Sequence, residues 1–186
     1  SNVDDLLYGY LPEGEQAFKQ ILDLFQVGTE EKGSFRFCGK EIEQDDKFSI
    51  TVTAKDNIEK IQRISWPPHR KLTDKLDDGE TLQFRSVVAS LAWIARQVRP
   101  GLSYRVSRMQ SLVNCACVRE LRECNGVLEY AIKTSQIGLH FSCDGPSWDD
   151  AVVCTITDAS FCNEQVLVDG VITKDHSQQG YILCLA

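Results

Sequence analysis

The sequence predicts an α+β fold, because the spacing of its apolar residues changes along the chain. From Ser34 to Thr53 apolar and polar residues alternate, as in strands that bury one face. From Leu82 to Lys133 apolar residues recur every three to four positions, as in amphipathic helices. Short apolar runs near the C-terminus are again strand-like. We therefore expect antiparallel strands with one helix, then a helical region, then a smaller set of strands.

The first part of the chain predicts a helix followed by a hairpin. Glu15–Phe25 carries an amphipathic stripe of apolar residues, namely Ala17, Phe18, Ile21, Leu22 and Phe25. Ser34–Glu43 and Phe48–Thr53 read as two strands, because they are rich in aromatic and β-branched residues. The polar residues 44–47 between them form the connection.

The central part predicts four helices. A short one spans Lys55–Ile64 and stops at Trp66-Pro67-Pro68, and the charged stretch His69–Glu80 reads as a linker. Leu82–Val98 has the most regular apolar pattern and ends at Pro100-Gly101. Two further helices follow, at about 102–113 and 118–133.

The last part predicts buried strands at Val152–Thr157 and Gly180–Leu185. Asp158 ends the first of these strands. Between them, Asp169-Gly170 lies among β-branched residues, which is typical of a hairpin turn. The three tryptophans, Trp66, Trp93 and Trp148, are interpreted as packing residues rather than platforms for bases.

Composition favours a packed protein in a reducing compartment. The hydrophobic share is 42%, which is enough for a core, and no apolar run approaches the roughly 20 residues of a membrane span. The eight cysteines lack the spacing of a metal site. Several of them lie at apolar positions, where a free thiol packs as a small hydrophobic group, namely Cys38, Cys124, Cys154 and Cys184. We therefore expect an intracellular protein without a membrane partner.

Positive charge is concentrated in the middle of an acidic chain. Residues 1–80 hold 11 Lys/Arg and 17 Asp/Glu, residues 81–133 hold 8 and 3, and residues 134–186 hold 1 and 7. The central excess consists mostly of arginine, which suits bidentate contacts with phosphate. A solvated helix surface is the alternative interpretation. The arginines concerned include Arg85, Arg96, Arg99, Arg105, Arg108, Arg119 and Arg122.

Two adjacent carboxylates, Asp4 and Asp5, lie between apolar residues near the N-terminus. This pattern is typical of a tight hairpin with both carboxylates at its tip. Such carboxylates repel each other unless a cation neutralises them, and Mg²⁺ prefers hard oxygen ligands. On these residues alone, an ordinary acidic turn is the favoured interpretation.

Six strings in one order resemble the copia-type LTR retrotransposon polyprotein, from the end of its reverse transcriptase into its RNase H domain. They cover nearly the whole chain. The strings are Val3-Asp4-Asp5-Leu6-Leu7, Phe37-Cys38-Gly39-Lys40-Glu41-Ile42, Phe84-Arg85-Ser86-Val87-Val88-Ala89-Ser90-Leu91, Arg99-Pro100-Gly101-Leu102-Ser103-Tyr104-Arg105-Val106-Ser107, Gly138-Leu139-His140-Phe141-Ser142, and Thr157-Asp158-Ala159-Ser160 together with Ser177-Gln178-Gln179-Gly180-Tyr181.

The resemblance implies three regions. Residues 1–53 would be the end of a polymerase palm, 54–147 a mostly helical thumb and connection, and 148–186 the first strands of an RNase H-like sheet. The function implied is RNA-directed DNA synthesis with RNase H activity by two-metal phosphoryl transfer, using Mg²⁺ or Mn²⁺. The partners implied are an RNA/DNA template–primer and deoxynucleoside triphosphates, in a cytoplasmic particle or the nucleus.

The resemblance also assigns site residues. Asp4, Asp5 and Asp158 would be catalytic metal ligands. Phe37, Cys38, Gly39 and Lys40 would form the hairpin that grips the primer. With the basic residues Arg85, Arg96, Arg99, Arg105 and Arg108, this hairpin would contact nucleic acid.

Two departures favour a chain that is inactive by itself. Asn2 replaces the aromatic residue usual in the family, and the third polymerase carboxylate is expected on a palm strand before Ser1. The remaining RNase H acids are expected beyond Ala186. A decayed or domesticated remnant that binds nucleic acid or protein without catalysis is therefore the alternative. A purely structural α+β domain is the third interpretation.

Overall fold

The computed structural model describes residues 6–25, 28–145, 147, 149–168 and 171–185. Its chain divides into two compact units, residues 1–141 and residues 142–186. The α+β prediction is confirmed, since the first unit combines several helices with a four-stranded antiparallel sheet. Among the described helices, none combines the length and the apolarity needed to cross a membrane.

The sheet of the first unit is built from strands that are distant in sequence. Its strands are β1 (Ser34–Phe37), β2 (Lys40–Gln44), β3 (Ile50–Thr53) and β4 (Leu139–Phe141), in that spatial order. The predicted pairing of 34–43 with 48–53 is present, with Gln44 opposite Ile50. The segment 34–43 was predicted as one strand but forms two, with Phe37 opposite Lys40 across the turn at Cys38 and Gly39. The last strand follows the described helices in the chain, so the predicted regions 1–53 and 54–147 both contribute strands to this sheet.

Gly138 allows this late strand to join the sheet. The chain passes so close to β3 at this point that a Cβ atom on residue 138 would clash with the carbonyl oxygen of Val52. From there Leu139 pairs with Val52 and Phe141 with Ile50.

The helices are α1 (Glu15–Leu22), α2 (Lys55–Glu59), α3 (Asp78–Gln97), α4 (Ser103–Leu112) and α5 (Val118–Lys133). The region from Leu82 to Lys133 is helical apart from short connections, as predicted. The core lies where α3, α4 and α5 pack together. Its largest fully buried side chains include Phe84, Leu91, Ile94, Leu102, Met109, Leu121 and Leu128.

The helix predicted for Lys55–Ile64 is shorter than expected. It ends at Glu59, and the residues that follow have no regular structure. The cause is tertiary, because Asn125 on α5 bonds both backbone groups of Ile64. Its Oδ1 accepts from the Ile64 N–H at 3.0 Å, and its Nδ2 donates to the Ile64 carbonyl at 2.7 Å.

The stretch His69–Glu80 was predicted as a linker, but its middle is anchored to the start of α5. The backbone N–H groups of Val118 and Arg119 donate to the carbonyls of Asp74 and Leu72, at 3.0 and 2.9 Å. Helix α3 already begins at Asp78, four residues before the apolar pattern that predicted it. A polar capping arrangement, discussed below, starts the helix early.

The second unit contains one long hairpin, β5 (Val153–Val168) and β6 (Val171–Leu185). Val168 pairs with Val171, as the predicted turn at Asp169-Gly170 requires, and the two turn residues lie outside the described part. The strands were predicted to be buried, and this was wrong. Ile156 and Ile182 are opposite each other and about 60% exposed, because no other described element of this unit covers the hairpin.

The cysteines only partly follow their apolar pattern. Cys124 is buried among the helices, and burial raises the pKa of its thiol to about 12. Burial also raises the pKa of Cys117, which is half-buried before α5. Cys38 is exposed, contrary to the expectation, because it occupies a turn. Cys154 is half-buried, and the burial of Cys184 lies outside the described part.

Candidate nucleic-acid interface

The predicted metal ligands are not brought together in the described structure. Asp4 and Asp5 lie outside the described residues. Asp158 lies within β5, opposite Gly180, and its side chain is exposed. It was predicted to end its strand, but β5 continues for ten residues to Val168. Among the described residues, no group of three or more His, Cys, Asp or Glu could hold a metal ion.

The predicted grip residues form the tight turn between β1 and β2. Cys38 and Gly39 both have positive φ, +49° and +76°, and Phe37 pairs with Lys40 across them. A two-residue loop with positive φ at both positions matches the twist of the adjoining strands. Gly39 supplies this conformation without strain, whereas Cys38 adopts it despite its side chain.

The turn is fixed to the helices by two side chains that the sequence did not single out. Asn57 on α2 donates from Nδ2 to the carbonyl of Gly39 at 2.7 Å. Gln97, the last residue of α3, accepts from Lys40 Nζ at 3.1 Å. Both contacts join residues that are distant in sequence, so no local pattern could have predicted them.

Close packing reinforces this attachment. A Cβ atom on residue 39 would lie 2.9 Å from Asn57 Nδ2 and 3.4 Å from the indole ring of Trp93. Arg36, just before the turn, reaches Asp56 Oδ2 at 3.2 Å and Asn57 Oδ1 at 3.3 Å. The turn is therefore packed against α2 and the second half of α3.

The predicted arginines fall into two groups. Arg99 is only 5% exposed, and its guanidinium donates to the Thr134 carbonyl and Oγ1 at 2.7 and 2.8 Å. Arg108 is half-buried, and its Nη1 lies 2.8 and 2.6 Å from the two carboxylate oxygens of Glu123. Arg99 thus joins the end of α3 to the end of α5, and Arg108 joins α4 to α5. We therefore do not assign these two arginines to the interface.

The other three arginines, Arg85, Arg96 and Arg105, are exposed. Arg85 and Arg96 are eleven residues apart on α3, which places them on one side of the helix about 16 Å apart. Arg85 also donates to Asn114 Oδ1 at 2.9 Å, near the end of α4. Arg96 directly precedes Gln97, which holds the turn. The C-terminal end of α3, next to Arg96, is thus attached to the Phe37–Lys40 turn.

A groove of about 650 Å³ lies beside this turn, between α3 and residues 57–64. We call it the α2–α3 groove. Buried Ile64, Val87 and Ile94 contribute apolar walls, and half-buried Trp93 lines it near the turn. Polar and basic residues complete the lining, namely Asn57, Lys60, Gln62, Arg63, Gln83, Ser86 and Ser90, together with Ile61. The lining contains no carboxylate.

Trp93 therefore does more than the interpretation as a packing residue allowed. It packs against the core, but it also lines an open groove, since it lies on the polar side of α3 with Ser86, Ser90 and Gln97. This helical spacing of polar residues is visible in the sequence. The sequence pattern could not show that residues 60–64, which follow α2 without regular structure, form the opposite wall of the groove.

No protein-family model, curated protein or solved structure was found to match the chain. The candidate interface is consequently defined by its own geometry, together with the sequence resemblance described above.

Proposed function

We propose that the chain is the C-terminal part of a copia-type reverse transcriptase continuing into RNase H. In this proposal the first unit contains the palm end with the helical thumb and connection, and the β5–β6 hairpin opens the RNase H-like sheet. The intact parent carries out two-metal phosphoryl transfer with Mg²⁺ or Mn²⁺, and Asp4, Asp5 and Asp158 belong to its metal ligands. The isolated chain binds nucleic acid without catalysis.

The attachment of the turn to α3 is the observation that carries this proposal. Asn57 and Gln97 fix the Phe37–Lys40 turn beside the exposed side of α3 that bears Arg96. A nucleic-acid backbone needs cations held at a fixed spacing, because phosphate contacts set its position and register. Arg85, Arg96 and Arg105 can supply these contacts, and the turn supplies a rigid edge at the Arg96 end of α3.

The chain has a net charge of −7, so long-range attraction to nucleic acid is weak. Binding must come from local contacts between arginines and phosphates, which release counterions and depend strongly on salt. We therefore expect weak binding to an RNA–DNA duplex that decreases as salt increases.

The test compares two double variants that remove equal charge. Arg85→Ala with Arg96→Ala should reduce the slope of log affinity against log salt by about 1.8, which corresponds to two phosphate contacts. Lys47→Ala with Lys71→Ala removes two exposed cations outside the interface and should leave the slope unchanged. Fluorescence anisotropy with a labelled RNA–DNA duplex provides the measurement. Equal effects of the two double variants would show that the arginines form an ordinary solvated surface.

A further inference from the structure

We propose that the α2–α3 groove binds an unpaired nucleotide of a single-stranded nucleic acid, with its base against Trp93 and its phosphate near Lys60. This inference rests on the proposed function, because it assigns a second, single-stranded site next to the duplex surface. The Phe37–Lys40 turn connects the two, since its Gly39 packs against Trp93.

The size and the lining of the groove fit this ligand. Its volume of about 650 Å³ lies within the range of about 300–1,000 Å³ typical of small-ligand sites. Apolar walls and one aromatic ring can take the flat faces of a base, because every base has a π face that stacks on aromatic side chains. The groove provides this ring through Trp93.

Polar groups are present to meet the edges of the base. The amides of Asn57 and Gln83 and the hydroxyl of Ser86 line the groove, and such groups can donate or accept hydrogen bonds. The indole N–H of Trp93, which also lines the groove, is a further donor. The site therefore offers both stacking and edge contacts.

Charge favours a phosphate in this groove. Lys60 and Arg63 line it, and none of its lining residues is acidic, although the chain as a whole is acidic. Arg63 lies 3.0 Å from Glu129 Oε2 in an exposed ion pair, so Lys60 is the main cation for the ligand. An acidic peptide would share this attraction, but it would not need the aromatic ring.

The test uses labelled oligothymidylate and an abasic oligonucleotide of the same length. Trp93→Leu keeps an apolar side chain but removes the stacking face, and it should weaken oligothymidylate binding about tenfold. Trp66→Leu is the matched control, because Trp66 is also half-buried against the core but lies outside the groove. It should leave the affinity unchanged. The abasic oligonucleotide should bind the wild-type chain no better than it binds Trp93→Leu.

A second pair of variants tests the phosphate contact. Lys60→Gln should reduce the salt slope for oligothymidylate by about 0.7, as expected for one contact with a single strand. Lys55→Gln removes an exposed cation from the start of α2, outside the groove, and should leave the slope unchanged. Both lysines are exposed, so neither change should impair folding.

Several results would overturn the inference. One is that Trp93→Leu binds oligothymidylate with wild-type affinity. Another is that the wild-type chain binds the abasic oligonucleotide as tightly as oligothymidylate. A third is that a glutamate–leucine peptide displaces labelled oligothymidylate at the same concentration as unlabelled oligothymidylate does. The duplex assay with Arg85 and Arg96 separates the two proposals. Duplex binding without the Trp93 effect would leave only the proposed function standing, and the reverse result would leave only the groove site.

Discussion

Gly39 is the residue at which the turn, the helices and the groove meet. Its φ of +76° lies in the left-handed region, and its carbonyl accepts the amide of Asn57. Its missing side chain also leaves the space into which Asn57 and Trp93 pack. The absence of a side chain at residue 39 therefore allows both the left-handed backbone conformation and the close contact with Asn57 and Trp93.

Gly39→Ala should lower the free energy of unfolding by more than Gly33→Ala. Gly33 has nearly the same φ, +74°, but a Cβ there would meet nothing within 4 Å. Both variants incur the left-handed strain, about 1–2 kcal/mol, and only Gly39→Ala also displaces Asn57. Urea denaturation of the two variants and the wild type provides the comparison. Equal losses would indicate that Asn57 moves aside freely and does not hold the turn.

At the scale of elements, the start of α3 shows how polar residues extend a helix beyond its apolar pattern. Asp77 Oδ1 accepts from the Glu80 N–H at 2.8 Å, while Glu80 Oε2 accepts from the Asp77 N–H at 3.0 Å. This capping box satisfies two N–H groups at the helix start. Glu80 is only 6% exposed, and its two oxygens lie 2.9 and 3.0 Å from Arg70 Nη1.

Glu80→Gln should destabilise the first unit by about 2 kcal/mol, because Arg70 loses the hydrogen bonds to its most buried counter-charge. Arg70 then keeps only the more exposed carboxylates of Asp74 at 3.4 Å and Asp77 at 4.0 Å. Glu129→Gln is the matched control, since its pair with Arg63 is exposed on both sides and is worth about 0–1 kcal/mol. Thermal and urea unfolding measure both. A loss for Glu80→Gln no larger than for the control would mean that Asp74, Asp77 and water compensate the charge of Arg70.

At the scale of the whole molecule, the two units differ in how completely they bury apolar residues. The first unit has a core of helices packed beside a sheet, whereas the described hairpin of the second exposes Ile156, Ile182 and Leu183. Isolated two-stranded hairpins are marginally stable in water. Within the proposal, this hairpin is one part of a larger RNase H-like sheet.

The 186-residue chain should give no product in a primer-extension assay with Mg²⁺ or Mn²⁺. Two-metal chemistry needs its carboxylates held together, and the resemblance assigns one of them to a strand that this sequence does not contain. Addition of the family's preceding palm strands should restore activity if Asn2 is tolerated. An inactive extended chain would favour the decayed remnant. Robust extension by the 186 residues, abolished in Asp4→Asn, would contradict the prediction.

The sequence by itself determined the class of fold and the position of most elements. The apolar periods predicted strands at 34–43 and 48–53 and the helical region from Leu82 to Lys133, because a strand or an amphipathic helix must bury a face set by its own spacing. The apolar period did not predict the turn that divides the first of these strands into β1 and β2, and only the resemblance implied a hairpin at Phe37–Lys40.

Only the tertiary structure decided which residues meet. Asn125 binds the backbone of Ile64, where a longer α2 was predicted, and Asn57 binds the carbonyl of Gly39. Arg99 is buried and binds Thr134, although its sequence context suggested a phosphate contact. Each of these contacts joins residues at least 18 positions apart. Local periodicity carries no information on such pairs, because their distance depends on how complete elements pack. The candidate groove is for this reason a property of the fold rather than of any one segment.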